Sequence, residues 1–252
     1  MNQELVAIYF LWKREIIRFF RSKSRVFGSL AMPFFFLIML GFGIGGMVTM
    51  ETGGPNYMDY IAPGILGMVL LFASLFSGMI VIMDKQFGFL KETLVAPVSR
   101  VSIVLGKAFG GATTAVSQGV LMLILMMLMG ISIPLSALPF LIVIMFLISI
   151  AFVCLGIAIA SLIEDMHGFQ LIMNFLIFPL FFLSGAVFPL NGLPEIIRFI
   201  SYLDPLTYGV DALRLSLLGT SQFHIMLDMG VLVGFLIVTT VVAAYLFRRI
   251  ES

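Results

Sequence analysis

Gly106 and Lys107, in "VLGKAFGG", are the two residue types that close a phosphate-binding loop, where backbone N–H groups cradle phosphates and the lysine reaches the outer ones. That chemistry needs a glycine at 101 and a Ser or Thr at 108, and the chain has Val101 and Ala108. "GFGIGG" at 41–46 has the glycines of a dinucleotide turn, yet it closes an apolar run with no strand before it. Gly41/Gly45 and Gly106/Gly110 read better as small-xxx-small pairs that let helices approach. His167 and His224 stand alone, and no Cys, His and carboxylate group has metal-ligand spacing. No Ser, His and Asp converge by sequence. Cys154, the single cysteine, rules out an intrachain disulfide and reads as a small packing residue. The chain is therefore expected to catalyse nothing itself and to carry no cofactor or metal.

What must hold these residues is a membrane. The 252 residues are 61% hydrophobic and 11% charged, against about 25% charge in a soluble domain. Net charge is +1, which leaves no basic field for nucleic acid. Six apolar runs are long enough to cross as helices: 26–48, 61–83, 108–131, 137–162, 168–190 and 228–247. The expected fold is an all-α membrane protein with six transmembrane helices. The first residues have charges inside and after their apolar part, so they do not read as a cleavable signal.

Basic residues orient the spans. Lys13, Arg14, Arg18, Arg21, Lys23 and Arg25 precede the first, Lys85, Lys91, Arg100 and Lys107 lie between the second and third, and Arg248 and Arg249 follow the sixth. Only Arg198 and Arg214 of the fourteen fall on the other side. The positive-inside rule predicts that both termini and the second-to-third connection are cytoplasmic. None of the spans has a charge near its centre; they offer only neutral polar groups such as Thr113, Thr114, Ser117, Gln118, Asn174 and Ser184. Ion-coupled transport normally needs ionisable groups at depth, and no inverted repeat relates the two halves.

Residues 1–25 form a separate element. At helical spacing Arg14, Arg18, Arg21 and Arg25 share a narrow arc, opposite Leu5, Ile8, Tyr9, Trp12, Ile16 and Phe19. This predicts an amphipathic interfacial helix with Tyr9 and Trp12 at headgroup level, each basic residue adding about 1 kcal/mol at an anionic leaflet. It serves either as a topology anchor or as a transmission element that also touches a partner.

The stretch 84–107, "DKQFGFLKETLVAPVSRVSIVLGK", is longer than a turn between spans requires. It offers Phe87, Phe89, Leu90 and Leu94 as apolar knobs, Lys91 and Glu92 as directional contacts, and Pro97 as a helix stop. The alternative is a solvated loop. Glu164 and Asp165, in the short fourth-to-fifth connection, are either a second contact or membrane-edge charges. After the fifth span, "LPEIIRFI" and "VDALRLSLLG" read as short helices separated by Pro205, too apolar for a free loop.

Two of these stretches carry a resemblance. Asp84, "FGFLKETLVAPVSR" at 87–100 and "IVLGK" at 103–107, followed by "LSGAVFPLNGLPEIIRFISYLDPLTYGVDALR" at 183–214, resemble the permease subunits of the ABC-2 family of ATP-binding-cassette exporters. The likeness spans essentially the whole chain and is nearest the drug-resistance and lipo-oligosaccharide exporter branch.

The resemblance implies a six-span transmembrane domain over 26–252. Its coupling segment, 84–107, docks a separate ATPase that binds ATP and Mg, through Phe87, Phe89, Leu90, Lys91, Glu92, Leu94, Pro97 and Arg100, with Glu164 and Asp165 beside them. It implies outer re-entrant helices at 189–220, where Pro189, Pro205, Tyr208, Asp211 and Arg214 form an outer gate; a hairpin resting on the membrane surface is the alternative. It implies a homodimer with two ATPase subunits in a prokaryotic cytoplasmic membrane, exporting amphipathic or lipid-linked cargo. The candidate path residues are Gln118, Asn174, Phe175 and Phe178, some of which could be core. A secondary transporter or channel, or a scaffold recruiting a cytosolic protein, remain as other classes.

Overall fold

The computed structural model describes residues 3–52, 57–89 and 98–249, without side chains at 23–25 and 44–52. Among them every regular element is helical. In chain order these are α1 (Gln3–Arg21), α2 (Lys23–Thr52), α3 (Tyr57–Ser77), α4 (Met79–Gln86), α5 (Arg100–Leu128), α6 (Leu138–Leu162), α7 (Met166–Leu183), α8 (Glu195–Leu203), α9 (Pro205–Leu218) and α10 (Ile225–Arg248), with single 3₁₀ turns at Leu135–Ala137 and Leu190–Gly192. Six helical stretches are long and apolar enough to cross a membrane: α2, α3 with α4, α5, α6 with its preceding turn, α7 and α10.

Local chemistry sets the ends. Ser99 caps α5 by accepting from Ser102 N–H, Asp165 caps α7 by accepting from Gly168 N–H at 2.6 Å, and Asp204 caps α9 by accepting from Leu206 N–H at 2.9 Å. Pro205 then occupies the first position of α9, where a missing N–H costs nothing.

The boundaries correct the hydropathy reading in three places. The third span starts at Arg100 rather than 108, because the Ser99 cap nucleates helix well before the apolar run begins. The second is broken at Gly78 into α3 and α4. The fifth ends at Leu183 rather than 190, where Gly185 turns the chain at φ 72°.

α3 and α6 form the centre, buried over most of their length, while α7 and α10 each bury one face. Between apolar helices in lipid, association rests on close van der Waals packing. The break at Gly78 sits directly on α6: a Cβ there would lie 2.3 Å from the Gly156 carbonyl oxygen, and one at Gly156 would lie 2.6 Å from that of Leu75. α1 lies along α5. Positions 106 and 110 admit it because a Cβ at Gly106 would meet Leu11 Cβ at 2.8 Å and one at Gly110 would meet Glu15 Cβ at 2.7 Å. The small-xxx-small spacing at Gly106 and Gly110 therefore seats the N-terminal helix. Position 41 faces the Met58 side chain instead, and the Gly45 position lies outside the side chains described.

Candidate functional site

The expectation of purely neutral spans fails at two points, and the site is built at the first. Asp84, in the last turn of α4, is almost completely buried, as is Lys107, two turns into α5. The Lys107 ammonium pairs with Asp84 Oδ2. Arg14 Nη2 of α1 donates to the same oxygen at 2.7 Å, and Arg18 Nη1 stands 3.8 Å from Oδ1. Hydropathy placed Asp84 and Lys107 outside the spans as loop charges. They fold inside because each neutralises the other, which a lone buried charge cannot do. One further carboxylate, Asp228 near the start of α10, is fully buried with neither oxygen hydrogen-bonded.

α1 is consequently not a helix on lipid alone. Trp12 Nε1 donates to Thr113 Oγ1 of α5 at 3.0 Å, so the tryptophan expected at headgroup level is docked on a span. Two of the arginines expected to face headgroups turn to Asp84; Arg21 stays exposed, and the Arg25 side chain lies outside the described residues. Burial works against the Arg14 charge, but the Asp84 and Glu15 carboxylates outweigh it and raise the pKa of Arg14.

The N-terminal end of α1 holds the other flank. Glu4 accepts from Ser99 N–H at 2.9 Å and from the Ser99 hydroxyl at 2.9 Å. Hydrogen bonds from the Ser102 and Ser99 hydroxyls and the Ser99 amide lower the pKa of Glu4. From Glu4 to Arg14 is about 15 Å along a helix. α1 thus grips the chain on both sides of the connection between α4 and α5: at Asp84 before it, at Ser99 after it.

Phe87 and Phe89 are exposed at the start of that connection. Phe89 walls a shallow groove of about 370 Å³ with Arg14, Ile17, Arg18, Arg21 and Asp84. Arg100 is the first residue of α5. Leu90, Lys91, Glu92, Leu94 and Pro97 lie outside the described residues. Gln86 Nε2 donates to the Glu164 carbonyl at 3.3 Å, joining this connection to the one between α6 and α7. Glu164 is exposed there, and Asp165 serves as the α7 cap.

The path candidates do not share one wall. Gln118 is buried and lines a partly open cavity, whereas Asn174 and Phe175 lie on the exposed face of α7, Phe175 at 83% exposure. Phe178 is half-buried, its ring edge-on to Phe72 at 6.0 Å.

The outer residues do meet. Asp211 accepts from the N–H groups of Gln222 and Phe223 at 2.9 Å each. Arg214 donates to the Gly185 carbonyl at 3.0 Å, lies 4.5 Å from the Tyr60 ring centre, and stands 4.0 Å from Asp211. Tyr208 donates to the Tyr202 carbonyl at 2.9 Å. Pro189 precedes the second 3₁₀ turn, and Pro205 starts α9. Asp211 and Arg214 thus fasten α9 to the end of α7, to α3 and to the chain leading into α10.

A membrane protein braced in this way, with its sequence pattern, has defined relatives. The family described as ABC-2 type transporter matches residues 6–218. The chain belongs to the ABC-2 type transporter family. It is 29% identical over 243 residues to "Nodulation protein J" of Rhizobium leguminosarum bv. viciae, covering 96% of this chain and 91% of that one. It is 26% identical over 260 residues to "Inner membrane transport permease YadH" of Escherichia coli (strain K12), covering 99% and 97%. The "Putative transport permease ycf38" of Cyanophora paradoxa is 29% identical over 267 residues, covering 96% and 88%. As an ABC-2 permease the chain is a membrane component of a transporter rather than a catalytic enzyme, and membership implies association with an ABC ATPase subunit.

The residues that sequence reasoning missed are Glu4, Glu15, Asp204 and Asp228. Lys107 carried a readable signal: a lysine inside "IVLGKAFGG" requires a counter-ion once the helix extends around it.

Proposed function

We propose that this permease works as a homodimer with two ATPase subunits in a prokaryotic cytoplasmic membrane, exporting amphipathic or lipid-linked cargo. Both termini and the connection after α4 face the cytoplasm in this reading, and residues 189–220 re-enter the outer leaflet to cap the path. Segment 84–107 docks the ATPase, which binds ATP and Mg. ATP binding draws the two ATPases together and displaces the docked segments, and the permease pair switches between inward and outward access. The path runs between the two copies, along the exposed face of α7.

The observation that supports this reading most is the grip of α1 on both flanks of the connection. A push delivered at Phe87 and Phe89 reaches α4 through Asp84 and α5 through Ser99, and α1 keeps the two moving together. An exposed aromatic pair beside a basic groove also suits protein docking.

The test is a mild-detergent pull-down of tagged protein from native membranes. A phosphate-loop ATPase should co-purify, and Phe89→Ala with Glu92→Ala should lose it while membrane insertion is retained. Intact protein with no ATPase, under conditions that preserve a known ABC complex, would overturn the docking assignment. Cargo-dependent ATP hydrolysis by the recovered complex separates a transporter from a scaffold.

A further inference from the structure

Between α1, α2, α3, α4 and α5 of a single chain is a partly open cavity of about 350 Å³. That lies at the lower end of small-molecule sites, about 300–1,000 Å³. Phe19, Met32, Phe76 and Met83 are among its lining residues, a soft apolar surface that adapts to alkyl chains. Its polar lining is Glu15 and Gln118, both buried, together with Ser29, Ser77 and Thr114. Glu15 Oε1 accepts from Arg14 at 3.3 Å, and its Oε2 has no hydrogen-bond partner. A buried carboxylate oxygen without a donor is costly, and Glu15 is one of the residues that line the cavity.

A mainly apolar wall with a buried carboxylate in it, in one compartment, suits an amphiphile. We infer that this cavity binds a single-chain amphiphile whose head donates a hydrogen bond to Glu15, as an ammonium or hydroxyl does. An anionic head is disfavoured, because it would set a second negative charge against the carboxylate. The cavity is not sealed: α2 borders it at Gly28, where a Cβ would meet nothing within 4 Å. The site is complete within one copy. It depends neither on the interface path nor on the direction of transport.

Trp12, the only tryptophan, makes a local reporter. It precedes Glu15 by one helical turn and bonds Thr113, whose neighbour Thr114 lines the cavity. Full-length protein in nanodiscs of unlabelled lipid would be titrated with brominated dodecylamine, dodecanol and dodecanoate, reading Trp12 quenching. Amine and alcohol should quench saturably, with dodecanoate weaker by at least about tenfold. Glu15→Gln should erase the preference for amine over dodecanoate while dodecanol still binds. Ala73→Leu, which narrows the cavity from α3, should weaken all three. Both variants should keep the parental Trp12 emission maximum, which reports that α1 is still docked. Linear quenching that is equal for the three heads and indifferent to Ala73→Leu would mean partition into lipid alone and would overturn the site. Saturable binding with an unchanged head preference in Glu15→Gln would overturn the assignment of Glu15.

Discussion

At the residue scale, Asp84 and Arg18 differ in consequence although both belong to one cluster. Asp84 is buried and meets Lys107 and Arg14 directly, so Asp84→Ala strands a buried ammonium and should destabilise by about 3–5 kcal/mol. Arg18 is partly exposed and stands 3.8 Å away, so Arg18→Ala should cost under about 1 kcal/mol. Detergent-denaturation midpoints check both, and equal losses would contradict the geometry. Asp204 gives a pH signature. Burial lifts its carboxyl from 3.8 to about 8, against the lowering effect of its bond from Leu206 N–H. The folded state therefore keeps a proton that the unfolded chain releases near pH 4. The sign follows: this stability is fully present below pH 4 and is lost as pH rises through 8. Asp204→Asn should match the parent near pH 4 and exceed it in thermal midpoint at pH 9. A variant that loses stability between those pH values as steeply as the parent would refute it.

At the element scale, the decisive helix is α1. Its seat on α5 depends on two positions without side chains, so Gly110→Leu drives a side chain into Glu15 and should cost about 1–3 kcal/mol through overpacking. Trp12 should then lose its bond to Thr113 and emit at longer wavelength, while the first turn of α5 exchanges amide hydrogen faster as Glu4 withdraws from Ser99. Sequence reading reached part of this. An apolar run of about 20 residues must cross a bilayer whatever its neighbours, so all six spans were legible, and so was the helical α1. The partners of its faces were not. Helical spacing puts Arg14 and Arg18 on one arc, but whether that arc meets phosphate headgroups or Asp84, seventy residues away, is a tertiary fact. Lys107 was misjudged for a related reason: hydropathy scores a charge alone, and burial prices it with its partner.

For the whole molecule, the question is what covers the apolar faces left open. Phe175 on α7 and Val241 on α10 are both well exposed. Lipid can cover either, but the proposed homodimer buries α7. In a Cys154→Ala background, Phe175→Cys should form a disulfide-linked dimer on mild oxidation and Val241→Cys should not. The reverse result would move the interface to the other side of the fold and with it the proposed path. The outer segment has a different character. Asp211 and Arg214 are spent on holding α9 against three other parts of the chain, so a motion there carries those parts along as one body.

The break between α3 and α4 has a mechanical consequence. Backbone meets backbone where Gly78 rests on Gly156, with no side chain between them to deform, which is how a fulcrum is made. Beyond it α4 is an arm of eight residues, about 12 Å long, ending beside Asp84 and Gln86. A rotation of about 10° at that point sweeps the tip through about 2 Å. Such a sweep is enough to trade one hydrogen-bond partner for another at Asp84 while α3, on the far side of the fulcrum, stays packed against α6.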